Sequence, residues 1–185
     1  MAEKFESANR CSVKKIVVIG PESTGKTTLT TRLAAHFQCP MVPEFAREYL
    51  DNLGRPYERE DLVGIAKGQL QLEESMLDQG KPYLFCDTDL RVIKIWSQVK
   101  YQSVDPWILD QIAKRSYHAY LLLEPDLPWE ADPQREHPEY RLQLFERYYQ
   151  ELKFSGIPFE VISGMGDRRF EIALESLSRI INLPK

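Results

Sequence analysis

The sequence predicts an α/β fold, a three-layer sandwich with a five-stranded parallel sheet between two layers of helices. Two observations predict it. Five short apolar runs, rich in β-branched and aromatic residues, alternate with segments of helical periodicity, the order that parallel strands need for their crossovers. The first run, IVVIG, leads straight into GPESTGKTT at residues 20–28, and that stretch leads into a helical pattern. A glycine-rich turn between a buried strand and a helix is the setting in which backbone amides converge on phosphate.

Each element follows from its own residues. Ile16 to Ile19 is apolar throughout and reads as a strand buried on both faces. Leu29, Leu33, Ala34 and Phe37 then recur on one face of a helix. CPMVPEFAREYL holds too much proline for a central strand, so a short strand at Met41 and Val42 should stop at Pro43. From Glu58 to about Gln79 the spacing of Leu62, Ile65, Ala66, Leu70 and Leu77 predicts a long amphipathic helix, stopped by Gly80-Lys81-Pro82. Its GxxxG, Gly64 and Gly68, reads as close packing within the domain rather than as a dimer motif. YLFCD at 83–87 is the next strand, Leu90–Val99 a helix with Ile93 and Trp96, and Pro106 suits the first turn of another. AYLLL at 119–123 is a fourth strand. After it EPDLPWEADPQREHPEYR carries four prolines and mixed charge, and reads as a lid-sized loop over about 124–138. Leu142, Phe145, Tyr149 and Leu152 mark a helix, FEVI at 159–162 a fifth strand, and Phe170, Ala173, Leu174, Leu177 and Ile181 a closing helix. The expected organisation is a loose N-terminal tail, 1–13, and a single α/β domain, 14–185.

GPESTGKT matches G-x-x-x-x-G-K-[ST] in full. Gly20, Glu22, Ser23, Thr24, Gly25, Lys26, Thr27 and Thr28 are therefore the expected nucleotide contacts. The Lys26 ammonium should reach the β- and γ-phosphates of ATP, and the Thr27 hydroxyl should ligate Mg²⁺. Ligands of open parallel sheets lie beyond the carboxyl ends of the strands, so the remaining candidates are sought there. Asp87 closes an apolar strand, where a carboxylate can serve the magnesium, take the proton of an attacking hydroxyl, or cap the next helix, and Asp89 lies two residues on. Glu44 and Arg47 share a face if the chain is helical from Glu44, which suits proton acceptance by one and charge neutralisation by the other; a surface ion pair is the alternative. Arg135, on the lid, is placed to stabilise a migrating phosphoryl group while the lid excludes water. Arg141 reads more simply as solvated. Trp96 and Tyr101 are candidates for stacking on an aromatic ring of the acceptor. Adenine is expected beside Gly164 to Arg169 by analogy with the fold.

Composition bounds the reading. A formal net charge of −4 and a pI near 5.5 argue against a nucleic-acid-binding surface. Cys11, Cys39 and Cys86 form no paired pattern, and His36, His118 and His137 have no ligand spacing, so neither a disulfide framework nor a zinc cluster is suggested. No long apolar run or leader pattern occurs, so the expected location is the cytoplasm, with no membrane partner.

GPESTGKTT, PEFAREYL, CDTD followed by IKIW and KY, and LLLEPDLPWEADPQREHPE together resemble the ribosylnicotinamide kinase family, the kinase domain of NadR and its stand-alone relatives, from about Lys14 to the C-terminus. The resemblance implies a P-loop NTPase of the nucleoside/nucleotide kinase-like type. It also implies ATP- and Mg²⁺-dependent phosphorylation of nicotinamide riboside to the mononucleotide, a step of NAD salvage. The phosphate loop falls at Gly20 to Thr28, the acceptor near Glu44, Arg47, Asp87 and Asp89, and the lid around Trp129, Asp132 and Arg135. Where the fused relatives carry an aromatic residue before the glutamate, this chain has Pro43, which leaves the acceptor open between nicotinamide riboside and another nucleoside or small alcohol. A non-enzymatic nucleotide switch is the rival of another class. The helix-turn-helix and nucleotidyltransferase modules of the fused relatives find no room in 185 residues, so repression and adenylyl transfer are expected to be absent.

Overall fold

Parallel backbone pairing orders the strands β2-β3-β1-β4-β5, with β1 at Lys14–Ile19, β2 at Met41–Val42, β3 at Tyr83–Asp87, β4 at Ala119–Leu123 and β5 at Phe159–Ile162. The computed structural model describes residues 13–78, 80–134 and 138–181. Among the described residues seven α-helices connect and cover the sheet: α1 (Lys26–Phe37), α2 (Phe45–Leu53), α3 (Arg59–Ser75), α4 (Leu90–Tyr101), α5 (Pro106–Lys114), α6 (Arg141–Ser155) and α7 (Gly166–Ile181). The tail expected at 1–13 lies outside the described residues except for Val13, which is buried against the sheet and belongs to the domain.

The alternation of β1 explains the three layers. Ile16 and Val18 point to one face, where they meet Leu29 and Leu33 of α1 and Ala173 and Leu177 of α7. Val17 and Ile19 point to the other, where they meet Val92 and Ile95 of α4 and Leu144, Tyr148 and Leu152 of α6. All four strand side chains are fully buried, and each such burial stabilises the fold by about 1.5–3 kcal/mol. A third cluster joins α3 and α5 to α4 through Leu62, Ile65, Leu70, Ile93 and Ile108.

Two sequence readings change in detail and a third holds. The α6 face is set by Leu144, Tyr148 and Leu152, a row at spacing four, whereas Leu142 is 74% exposed; counting from Leu142 starts the row one position off the buried stripe. The helix expected from Glu58 begins after it, because Glu58 and Asp61 form a reciprocal capping box, and it ends at Ser75. Gln79, its expected end, lies outside the described residues. Gly64 and Gly68 do serve close packing: a Cβ at Gly68 would stand 1.9 Å from Phe45 Cε1, and one at Gly64 would stand 3.2 Å from the Tyr49 hydroxyl. Phe45 and Tyr49 belong to α2, so these glycines seat the helix that begins at Glu44. Among the described residues no helix is long and apolar enough to cross a membrane.

Candidate active site

The turn after β1 is held open by its own side chains. Gly20 has φ of 151°, and a Cβ there would stand 2.8 Å from the Leu123 carbonyl oxygen at the end of β4, so only glycine lets the loop cross the sheet edge this closely. The Thr24 hydroxyl and the Lys26 ammonium both donate to the Pro21 carbonyl, at 2.8 and 2.9 Å, which curls the loop toward the start of α1. Arg169, 4% exposed on α7, ties this loop to its neighbours. Its guanidinium donates to the carbonyls of Thr24 (2.6 Å), Gly164 (2.5 Å) and Glu124 (3.3 Å) and pairs with Asp126. Arg169 borders the cavity along the loop, as expected, and its donors are spent on these backbone carbonyls and on Asp126.

At the end of β3, the Thr27 hydroxyl donates to Asp87 Oδ2 at 2.6 Å. Asp87 is 1% exposed, and its Oδ1 is buried with no hydrogen-bond partner among the described residues. Burial raises the proton affinity of this carboxyl above the ordinary carboxylate range, against the lowering influence of the Thr27 hydroxyl and of Lys26. A hydroxyl and a carboxylate oxygen side by side at the mouth of a phosphate loop are the hard donors that magnesium takes, and the orphaned Oδ1 is a buried acceptor awaiting a cation or its water. Thr27 and Asp87 therefore fit the metal they were expected to hold.

Asp89 goes elsewhere. It caps α4 through the Arg91 amide at 3.0 Å, and its other oxygen takes the Arg91 guanidinium at 2.8 Å and the Tyr120 hydroxyl at 2.6 Å. At 2% exposed it lines neither cavity of the site, so the expected acceptor contact becomes a core network that fixes α4 to β4. The sequence signal was sound for capping and silent on which way the second oxygen turns.

Two cavities meet over the loop. One, of about 310 Å³, runs along Thr24, Gly25, Thr27 and Thr28 to Arg32, Arg169 and Phe170, with Leu127 and Pro128 of the lid above. The other lies on the opposite side of Lys26 and is walled by Tyr57, Val92, Trp96, Leu144 and Tyr148. Ser23, Lys26, Glu44 and Arg47 border both. Glu44 is the N-cap of α2; Arg47 Nε lies 3.6 Å from its carboxylate, and Arg47 Nη1 lies 3.2 Å from Asp132 of the lid. Burial raises the proton affinity of Glu44, Lys26 and Arg47 oppose that rise, and Asp87 and Glu22 add to it. The expected pairing of Glu44 with Arg47 on one helical face is present, and it faces the junction.

Other candidates are distributed as follows. Trp96 lines the second cavity, with its ring 6.3 Å from that of Tyr57; Tyr101 stands behind that wall, its hydroxyl donating to the Tyr57 carbonyl at 3.2 Å. Glu22 lines the second cavity and not the nucleotide side. Arg135 lies outside the described residues. Arg141, read as solvated, instead donates to the Leu127 carbonyl of the lid at 2.9 Å and to the Ser23 carbonyl of the loop at 3.0 Å. The Ser23 hydroxyl in turn donates to Pro128 O and accepts from Glu130 N. Nothing local announces the contacts of Ser23, which join residues more than 100 positions apart; nor does the sequence announce Tyr57 or Tyr148, which reach the cavity from separate elements.

Strand, amide-lined loop, helix and a carboxylate on the neighbouring strand define a P-loop nucleotide-binding domain on a nucleoside-kinase-like fold. Residues 15–169 match the AAA domain family, and the chain belongs to that family. Over 127 residues it is 28% identical to the trifunctional NAD biosynthesis/regulator protein NadR of Escherichia coli (strain K12), covering 65% of this chain and 30% of that protein; the match thus spans less than a third of the curated relative. In structure the chain is similar to NadR protein crystallised with NR, with a TM-score of 0.82 at 23% identity over 95% of this chain and 53% of that one. It is also similar to thymidylate kinase from Ehrlichia chaffeensis, with a TM-score of 0.62 at 16% identity over 91% and 98% of the two chains. The fold expected from the motifs is the fold found.

Proposed function

We propose that this chain is a small-molecule kinase that transfers the γ-phosphoryl group of ATP to the ribose 5′-hydroxyl of a nucleoside, and that the nucleoside is nicotinamide riboside. The observation that carries the reading is the pair of cavities sharing Lys26, Glu44 and Arg47. A nucleotide switch needs a triphosphate site alone, whereas a kinase needs a second cavity that opens onto the same phosphate. The likeness to NadR supports the choice of nucleoside. So does the aromatic wall: Trp96 and Tyr57 supply the stacking surface that Pro43 cannot.

In this reading the loop amides and Lys26 hold the triphosphate, while Thr27 and Asp87 hold magnesium, which when bound neutralises charge on the phosphate oxygens. Glu44 accepts the proton of the attacking hydroxyl, because it borders both cavities while Asp87 is engaged by Thr27. The hydroxyl oxygen forms its bond to the γ-phosphorus as the bond to the bridging oxygen breaks, and Lys26 and Arg47 meet the charge on the migrating group. Asp132 holds Arg47 toward the lid until phosphate competes for it. The lid covers the reaction and keeps water, the competing acceptor, out.

The purified chain, given Mg·ATP and a panel of nucleosides and small alcohols, tests this by chromatography. Nicotinamide mononucleotide and ADP should appear in equal amounts. ADP production indifferent to every acceptor would sink the kinase reading, and another nucleoside used in preference would replace the acceptor.

A further inference from the structure

A third hollow, of about 510 Å³, shares no lining residue with the two cavities of the site. It opens beside the amino ends of β4 and β5, where residues 115–117 and 155–157 lead into those strands, whereas the phosphate loop leaves the carboxyl end of β1. Among the described residues its walls hold three cations, Arg91 and Lys94 of α4 and Arg115 just after α5, against one carboxylate, Glu151 of α6.

The pairing of these charges is incomplete. Lys94 donates to Glu151 at 2.5 Å. Arg91 spends Nη1 on Asp89 and the Tyr120 hydroxyl, yet its Nε, buried with no hydrogen-bond partner among the described residues, stops 3.8 Å from Glu151. The residue is only 4% exposed. Arg115 repeats the pattern: Nη2 donates to Glu74, an exposed carboxylate that water screens, and its buried Nε has no partner among the described residues. Buried guanidinium N–H groups are costly to leave without an acceptor. Two of them beside a lysine make the donor set of an anion.

The walls also define its class. Donors arriving from separate elements suit the tetrahedral oxygens of a phosphate better than the two coplanar oxygens of a carboxylate, and guanidinium matches phosphate in geometry. Phe154, which lines the hollow with Ile112 and Ile157, is 84% exposed and offers its ring to an organic group carried on that phosphate.

We propose that this hollow is a binding site for a phosphate monoester bearing an aromatic group, and that its occupancy is transmitted to the second cavity. The route is short. α4 gives Arg91 and Lys94 to the hollow and Val92, Trp96 and Val99 to the second cavity; α6 gives Glu151 and Phe154 to the one and Leu144 and Tyr148 to the other. A dianion that draws Lys94 away from Glu151 exchanges the tie between two helices that wall both spaces.

The test titrates phenyl phosphate, and separately inorganic phosphate, into the intact isotope-labelled chain and follows side-chain N–H signals by NMR. The Nε–H signals of Arg91 and Arg115 and the indole signal of Trp96 should move together and saturate, with the ester binding about tenfold more tightly than inorganic phosphate. Phe154→Ser, a change on the surface that keeps the fold, should erase that advantage and leave inorganic phosphate unaffected. Arg115→Gln should weaken both ligands about tenfold. Glu151→Gln should tighten both, because the competing carboxylate is gone. Shifts confined to the loop amides and Arg169 would put the anion on the phosphate loop and overturn the site, as would a Glu151→Gln variant that binds no more tightly than the wild type. Equal binding of the two ligands would overturn the aromatic group, and a Trp96 indole that stays still while both arginines move would overturn the transmission. None of these readouts depends on turnover, so failure here and failure of the kinase reading are distinguishable.

Discussion

The two sides of the junction are built from different material. In the proposed reading the nucleotide side is served mainly by main-chain groups: the amides of residues 23–28, the carbonyls clasped by Arg169 and the start of α1. On the acceptor side it falls to side chains drawn from the loop, α2, the segment before α3, α4 and α6. A backbone cradle recognises triphosphate whatever most of its side chains are, so a few residues there carry most of the chemistry. A side-chain chamber recognises one shape and charge, and any wall element can retune it. This is the physical reason that one fold keeps its donor while its acceptor changes.

Three substitutions sharpen that contrast. Lys26→Ala should be the most severe, lowering kcat by about a thousandfold, because the transferred group loses a charge the amides cannot replace. Circular dichroism and thermal melting should show the domain still folded, and calorimetry should show acceptor binding little changed; retained turnover would remove Lys26 from the mechanism. Asp87→Asn should lower kcat about a hundredfold and raise the magnesium concentration needed for half-maximal rate. Its stability effect has the opposite sign. The folded-state proton affinity of Asp87 is raised by burial, so its contribution favours the fold at low pH and is lost as pH rises from the ordinary carboxylate range through the raised value. The Asn variant should therefore melt at or above the wild-type temperature near neutral pH and show a weaker decline with rising pH; a variant that unfolds would make Asp87 a structural cap.

Gly68→Ala acts from outside the site and should be the mildest. The new methyl would drive into Phe45, next to Glu44, and overpacking of this kind costs about 1–3 kcal/mol of stability. Turnover should fall about tenfold through displacement of Glu44 and Arg47, with the KM for ATP unmoved. A rise in the KM for ATP alone would mean that α2 serves the nucleotide side, and the division drawn above would fail.

How legible each region was follows from the same division. Lys26, Thr27 and Asp87 could be read directly because a contiguous motif and a strand end fix where they stand. The strands could be read because each buries apolar residues on both faces, which leaves runs such as YLFCD and AYLLL with no other use. The acceptor chamber was only half visible. Glu44, Arg47 and Trp96 carry local signals, whereas Tyr57 gains its place only by packing on the cluster of α3, α4 and α5, and Tyr148 only when α6 packs with α4 against the sheet. Asp89 shows the converse: a sound local signal whose second oxygen was decided by Tyr120, 31 residues away. Arg141 reached Ser23 across 118 residues, a distance at which sequence spacing carries no information.

Arg169 has one more consequence. Its single guanidinium grips carbonyls from the phosphate loop, the end of β4 and the bend after β5, so these three segments cannot loosen one at a time. The rim of the sheet behaves as a unit, either wholly set or wholly slack. The shape that greets the incoming nucleotide is then fixed by a residue the phosphates need never touch, and the entropy of arranging the rim is spent when the chain folds rather than at each turnover.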